Sequence, residues 1–147
     1  MRFLFSLESL LDHRRRLEEV AQKEWAEAQG KVDAAVAQLG RYYDQVDEAR
    51  TRSAAIETQG GAQTGALISI DEFIGGQKYR IEAQRAVIRE LKTEAERLQE
   101  ILIEAAKETK TLEKLKERQL ADFNVKRRKA EAKANDELIV TRFKRAE

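Results

Sequence analysis

The chain has 147 residues, and 37% of them are charged, although the formal net charge is only +1. Proline and cysteine are both absent, which excludes disulfides and thiol chemistry. No apolar run approaches the roughly 18 residues of a membrane-spanning helix. A proline-free, strongly charged composition is typical of long helices, and a net charge near zero gives no general attraction to nucleic acid or lipid.

The first predicted element is a helix that begins near Leu7. Ser6 is the predicted N-cap, and Glu8 lies in the first turn, where the helix dipole favours an anion. Phe5 and Leu10 occupy the two positions of a hydrophobic staple. We therefore expect the side chains of Phe5 and Leu10 to pack against each other at the start of this helix.

The same opening stretch, FLFSLESLLDHRRR, does not match a targeting signal. Secretory signals carry their positive charge before the apolar segment, and mitochondrial leaders avoid acids. Here the arginines come after the apolar residues, and two acids interrupt the stretch. We interpret it as part of the folded chain.

Two heptad segments follow, because small or apolar residues recur at alternating steps of three and four. In the first segment these positions are Trp25, Ala28, Val32, Ala35, Leu39, Tyr42, Val46, Ala49, Ser53 and Ile56. In the second they are Ile81, Gln84, Ile88, Leu91, Ala95, Leu98, Leu102, Ala105, Thr109 and Leu112. The spacing predicts two long helices within one coiled-coil domain over 1–147, the first over about 7–56 and the second over about 69–146.

A glycine-rich turn is predicted between the helices, over about 57–68. Gly60, Gly61 and Gly65 are expected to end the first helix. Ser69 and Glu72 form an S-x-x-E capping box for the second. The stretch GGAQTG lacks the Gly-Lys-Ser/Thr ending and the preceding strand of a phosphate-binding loop, so nucleotide binding there is not expected.

Folding the chain back at this turn mostly brings small residues opposite large ones. The pairs are Ala28 with Leu98, Val32 with Ala95, Ala35 with Leu91, Leu39 with Ile88, and Val46 with Ile81. This complementarity favours an all-α fold, a long antiparallel two-helix coiled-coil hairpin. A parallel dimer of extended chains is the alternative.

The second predicted helix is longer than the first, so its C-terminal end overhangs from about Asn124 to Glu147. The overhang is mainly basic, and Arg14 to Arg16 lie at the same end of the hairpin. It also carries the large apolar residues Leu138, Ile139, Val140 and Phe143, which have no partner in the pairing scheme. Such a cluster indicates an interaction surface, whereas the alternative is a solvated, frayed tail.

Catalytic chemistry is not expected. The chain has one histidine, His13, and no cysteine, and its carboxylates are spread along helix surfaces instead of converging in a pocket. We therefore predict no catalytic residue, no metal site and no cofactor. Trp25 and Tyr42 are interpreted as seam residues.

Several irregular motifs resemble the flagellar export protein FliJ family. They are the opening F-x-F-S-L-E-S-L-L-x-x-R-R-R, then A-x-x-E-W-A-x-A-Q, E-K-L-K-E-R and D-E-L-x-x-x-R. The resemblance implies a non-enzymatic, two-helix stalk, similar to the central shaft of a rotary ATPase. The resemblance further implies that the two ends of this stalk lie side by side and enter the ring of a hexameric export ATPase. That ATPase belongs to the cytoplasmic part of the flagellar type III export apparatus, which is peripheral at the basal body.

The resemblance also implies partners and contact residues. The expected contacts with the ATPase ring are Phe3, Phe5, Leu7, Leu10, Arg14, Arg15, Arg127, Arg128, Leu138 and Phe143. The cytoplasmic domain of the export-gate membrane protein is expected to contact Gln38, Leu39, Tyr42 and Phe73. Of these, Gln38, Leu39 and Phe73 match the gate pattern of relatives, whereas Tyr42 stands where relatives have an aliphatic residue. The pattern is also not matched at Gln45, Ala49, Gln77, Arg80 and Gln84. Export chaperones are further expected partners, whereas membrane insertion and nucleic-acid binding are not expected.

Three alternatives stay open beside the flagellar stalk. One is a structural coiled-coil tether, and another is the equivalent stalk protein of an injectisome. The third, a basic coil that binds nucleic acid, is the weakest. The overhang offers a single aromatic residue near its end and mixes acids with its basic residues, so it lacks the interleaved pattern of nucleic-acid grooves.

Overall fold

The computed structural model describes residues 2–60 and 63–146, and it consists of two long helices. Helix α1 spans Glu8–Gln59 and helix α2 spans Thr64–Ala146. Neither described range contains a strand. Contacts between the helices run antiparallel, so the prediction of an all-α two-helix hairpin is confirmed.

Helix α1 begins within a residue of the predicted start. The Glu8 amide donates to the Phe5 carbonyl at 3.1 Å, and the Leu11 amide donates to the Leu7 carbonyl at 2.9 Å. Phe5 is buried, as a staple residue should be, but Leu10 is 39% exposed and Leu11 is fully buried. The prediction that Leu10 completes the staple is therefore wrong, because Leu11 and not Leu10 is the buried leucine of this turn.

The turn is shorter than the predicted 57–68. Helix α1 ends at Gln59. The next residue, Gly60, has a φ of 68°, the left-handed conformation that glycine adopts most readily just after a helix. Helix α2 already begins at Thr64, with the Leu67 amide donating to the Gln63 carbonyl at 3.2 Å. Gly61 lies outside the described residues.

Two boundary expectations are therefore corrected. Gly65 lies inside α2 instead of in the turn, and Ser69 is an interior residue, so Ser69 and Glu72 do not cap the helix. Leu67 and Ile70 are both half-buried in this first part of α2. Burying these apolar side chains offsets the roughly 1 kcal/mol that glycine costs inside a helix.

The contacts divide the chain into two compact units, which are described separately. The first comprises Met1–Val20 with Ile103–Glu147, and the second comprises Ala21–Leu102. The expectation of one coiled-coil domain over 1–147 stays a prediction.

In the unit Ala21–Leu102 the predicted seam is buried. Ala28, Val32 and Ala95 form a core cluster, against which Leu91 and Leu98 pack. The predicted pairs Ala28 with Leu98 and Val32 with Ala95 therefore belong to one cluster. Further seam positions are also buried: Ala35, Val46, Ala49, Ile81 and Ile88. Trp25, Leu39 and Tyr42 are only half-buried.

In the unit Met1–Val20 with Ile103–Glu147, aromatic and charged contacts hold the helices together. The rings of Phe3 and Phe123 lie with their centroids 5.6 Å apart. Lys116 Nζ lies 2.8 Å from a carboxylate oxygen of Glu8. Beyond Phe123 the seam rhythm continues through polar or small residues, Lys126, Ala130, Lys133 and Glu137. The apolar seam therefore ends near Phe123.

Candidate protein-interaction site

The C-terminal part of α2 forms the tail, defined here as residues 125–146, and every residue in it is exposed. The expected overhang from about Asn124 is thus found, since Asn124 is half-buried and every residue from Val125 to Ala146 is exposed. The tail carries eight basic residues against three acidic ones. The basic residues are Lys126, Arg127, Arg128, Lys129, Lys133, Arg142, Lys144 and Arg145. This excess gives the tail a local positive charge that the near-neutral chain as a whole does not have.

A cluster of large apolar residues stands open to solvent near the end of the tail. The exposed fractions are 57% for Leu138, 64% for Ile139, 52% for Val140 and 69% for Phe143. Ile139 and Phe143 are four residues apart and share a helix face, and Val125 lies on the same face by helical periodicity. Exposed apolar clusters with polar surroundings mark protein interaction sites.

The two tail arginines that we expected to contact the ATPase ring bind only within their own helix. Arg127 Nε lies 3.8 Å from a carboxylate oxygen of Glu131, one turn along. Arg128 Nε donates to the Asn124 carbonyl at 3.4 Å. Both guanidinium groups remain on the exposed surface, where an incoming acidic group can reach them.

The N-terminal residues that we expected to contact the ring divide into two groups. Phe5 is buried, and Phe3 is half-buried against Phe123, so their rings pack within the molecule. Leu7 is half-buried, whereas Leu10 is 39% exposed. The two phenylalanines therefore anchor the chain beside the start of the tail, and Leu10 is the large apolar side chain of this set that faces solvent.

Arg14 and Arg15 pair with glutamates on α2. Arg14 Nη1 lies 2.6 Å from an oxygen of Glu108, and Arg15 Nε lies 3.4 Å from an oxygen of Glu113. Arg15 also lies 3.7 Å from Asp12. The expected basic patch thus has its charge partly neutralised inside the hairpin. The sequence could indicate these partners only once the register of the two helices was known.

The residues expected to contact the export gate lie in the unit Ala21–Leu102 and are only partly accessible. Gln38, Leu39 and Tyr42 are half-buried on α1, and Arg41 Nε donates to the Gln38 side-chain oxygen at 3.0 Å. Phe73 is 38% exposed on α2. It lies nearer the turn than the three α1 residues, because the helices run antiparallel. The four side chains therefore do not form one compact patch.

The positions that depart from the relatives' gate pattern are largely hydrogen-bonded inside the hairpin. Gln77 is fully buried and donates to the Gln45 side-chain oxygen across the two helices. Arg80 Nη1 donates to the Gln77 oxygen at 2.7 Å, and Gln84 Nε2 donates to the Ala35 carbonyl at 3.0 Å. The Gln77 amide is thus satisfied within the hairpin, whereas Gln45 and Arg80 remain exposed. Ala49 is fully buried in the seam.

Glu94 and Arg97 form an ion pair on the exposed surface of α2, with two of their atoms 2.6 Å apart. A hydrogen bond from Arg97 lowers the pKa of Glu94, and the charges of Arg97 and Lys31 act in the same direction. Within residues 2–60 and 63–146 no three His, Cys, Asp or Glu side chains come together to hold a metal ion. Over the same ranges no helix has the length and hydropathy to span a membrane.

Comparison of the chain with models of protein families gives a match over nearly its whole length. The model of the family described as flagellar FliJ protein matches residues 3–147. No curated protein matches the chain, and no solved structure matches it. The family match begins at the first anchoring phenylalanine, Phe3, and includes both helices and the tail. The chain therefore belongs to the FliJ family and is a flagellar, export-related protein.

Proposed function

We propose that the chain is a non-enzymatic stalk that couples the hexameric export ATPase to the rest of the flagellar type III export apparatus. In this role it lies in the cytoplasm at the base of the flagellum, inserts its tail into the ATPase ring, and links the ring to the export gate and to export chaperones. Membership of the FliJ family supports the setting. The exposed tail supports the mode of action.

The observation that carries the proposal is the contrast between the paired helices and the tail. Through Phe123 the helices bury a seam and exchange charged contacts. From Val125 to Ala146 every side chain is exposed, including four clustered large apolar residues. Burying these four apolar side chains against a partner is favourable, so the cluster suits a binding surface. A tail that is only frayed and solvated does not need such a cluster.

The tail's chemistry indicates what its binding surface on the ring contains. Ile139 and Phe143 need an apolar wall, and the basic residues favour acidic or polar groups around it. Phe3 and Phe5 support this contact indirectly, since they hold the N-terminal segment against α2 just before the tail begins. Leu10, which is exposed, is the N-terminal residue best placed to contact the ring directly.

Contact with the export gate is a separate part of the proposal. Phe73 is the most accessible of its four residues, and Gln38 offers an amide already oriented by Arg41. Gln45, Gln77 and Gln84, which depart from the pattern of relatives, each take part in a hydrogen bond between the helices. We therefore place gate contact on Gln38, Leu39, Tyr42 and Phe73, with Phe73 as its main apolar anchor.

Two other roles predict different behaviour. A structural tether needs only a stable hairpin, so its tail can be replaced by any exposed helix. An injectisome stalk has the same mechanics with a different ATPase. The test is to mix the protein with the flagellar export ATPase of the same organism and measure ATP turnover and ring assembly together. The proposal predicts that both increase, and the absence of any change in either contradicts it.

A further inference from the structure

Most buried seam residues of the unit Ala21–Leu102 are apolar, yet Gln77 is fully buried. A buried amide is costly unless both its donor and its acceptor are satisfied. Here the Gln77 nitrogen donates to Gln45 of α1, and the Gln77 oxygen accepts from Arg80 at 2.7 Å. Across the described residues, no buried side-chain nitrogen or oxygen lacks a hydrogen-bond partner. The amide is therefore tolerated only while α1 presents Gln45 at this level.

A second pair of glutamines lies one heptad away. Gln38 precedes Gln45 by seven residues, and Gln84 follows Gln77 by seven. Because the helices are antiparallel, the alignment that brings Gln45 to Gln77 also brings Gln38 to the level of Gln84. Gln84 spans the two helices as well, donating to the Ala35 carbonyl at 3.0 Å.

Sliding one helix by a heptad spoils this arrangement in either direction. One slide pairs Gln45 with Gln84 and places Gln38 opposite Leu91. The other pairs Gln38 with Gln77 and places Gln45 opposite Ile70. Each shifted alignment therefore keeps one glutamine pair and places the other glutamine of α1 opposite an aliphatic side chain.

The remaining seam does not discriminate between alignments nearly as well. Its other buried positions are alanine, valine and isoleucine, and several recur at heptad spacing, such as Ile81, Ile88 and Ala95. A slide by one heptad therefore places apolar side chains opposite apolar side chains again, with only their sizes changed. Glycines at Gly60 and Gly65 also let the turn re-form at a different place. A feature other than apolar packing must therefore specify the alignment.

We propose that Gln45, Gln77 and Gln84 form a polar lock that fixes the register of the hairpin. Buried polar residues in coiled coils set register and pairing at a cost in stability. The lock determines which residues of α2 lie beside each turn of α1 within the unit Ala21–Leu102. This inference concerns the folding of the hairpin and does not depend on the partner of the tail.

The test replaces Gln45 and Gln77 together by leucine and measures the register directly. Spin labels go on Lys31→Cys and Glu94→Cys, which border the same surface depression on the two helices. Labelling is specific because the chain has no cysteine of its own. The distance between the labels is read by pulsed electron paramagnetic resonance.

We expect one narrow distance in the otherwise native protein. In the double-leucine variant we expect a higher melting temperature together with a second population, whose helices are displaced by one heptad, about 10 Å. A single narrow distance in that variant overturns the proposal.

The matched control is Thr109→Val. It also removes a buried polar group, but the Thr109 hydroxyl donates to the Ala105 carbonyl of its own helix and does not span the pair. This variant is expected to keep the single distance. If it produces the same second population, the loss of any buried polar group loosens the register, and the glutamines have no special role.

Discussion

At the scale of single residues, the structure separates side chains that hold the hairpin from those that face outward. The heptad spacing predicted the buried residues Ala28, Val32 and Ala95 correctly, because a repeat of three and four turns them all toward α2. It could not predict that Arg14 pairs with Glu108, since that contact depends on the register. Arg14 and Arg15 of α1 therefore pair with α2, whereas Arg127 and Arg128 of the tail contact only their own helix.

Leu91 should be sensitive to charge, because it packs against the core cluster. We expect Leu91→Asp to lower the free energy of unfolding by about 2 kcal/mol, since it brings an unpaired carboxylate toward an apolar cluster. Val87, on the same helix, is 43% exposed, and Val87→Asp serves as the control with a much smaller effect. Thermal melts followed by circular dichroism measure both, and equal losses contradict the assigned seam.

Charge reversal should distinguish the two sets of arginines. Arg14→Glu removes the contact with Glu108 and places like charges together, so we expect a lower melting temperature at low salt. Arg128→Glu, in the exposed tail, should leave the melting temperature unchanged but weaken ring binding in a salt-dependent way. Melting curves and binding titrations at two salt concentrations check both results. If Arg14→Glu and Arg128→Glu have the same effect on the melting temperature and on ring binding, the distinction between the two sets of arginines is contradicted.

The gate residues give another prediction at this scale. We expect Gln38→Ala combined with Phe73→Ala to weaken binding to the cytoplasmic domain of the export gate, because it removes an oriented amide and an exposed ring. Stimulation of the ATPase should be unaffected, since neither residue lies in the tail. Gate binding and ATPase stimulation are measured side by side for this variant. An equal loss of both contradicts the proposal that the gate and the ATPase ring contact separate surfaces of the chain.

At the scale of elements, the helices were easier to predict than the turn between them. The existence and pairing of α1 and α2 followed from long, regular heptads, which leave little choice of face. The turn was predicted too long because Gly65 and the Ser69–Glu72 pair are local signals. Their preferences are about 1 kcal/mol each, and extending two packed helices outweighs them.

Two glycines should respond in opposite ways to alanine. Gly40 lies inside α1 with nothing within 4 Å of an added Cβ, so Gly40→Ala should stabilise the protein by about 1 kcal/mol. Gly60 also has open space, but its φ of +68° is strained for alanine, so Gly60→Ala should destabilise by about 1 kcal/mol. Chemical denaturation measures both changes. A stabilising Gly60→Ala contradicts the observed helix end.

At the scale of the whole molecule, one sequence specifies both a self-sufficient pair of helices and a tail left without a partner. The tail was predictable, because α1 offers no seam residues for the part of α2 beyond Phe123. The anchoring role of Phe3 was not, since its contact with Phe123 lies outside the helical repeat. The tail's exposed apolar cluster is the feature on which the proposed coupling role rests, since a plain tether does not need it.

The most direct measurement is the ATP turnover of the hexameric export ATPase in the presence of the full chain or of a chain ending at Asn124. The shortened chain keeps the seam and the contact of Phe3 with Phe123, so its melting temperature should be nearly unchanged. The stalk account predicts that stimulation of turnover is lost. Full stimulation by the shortened and folded chain contradicts the account and favours a tether.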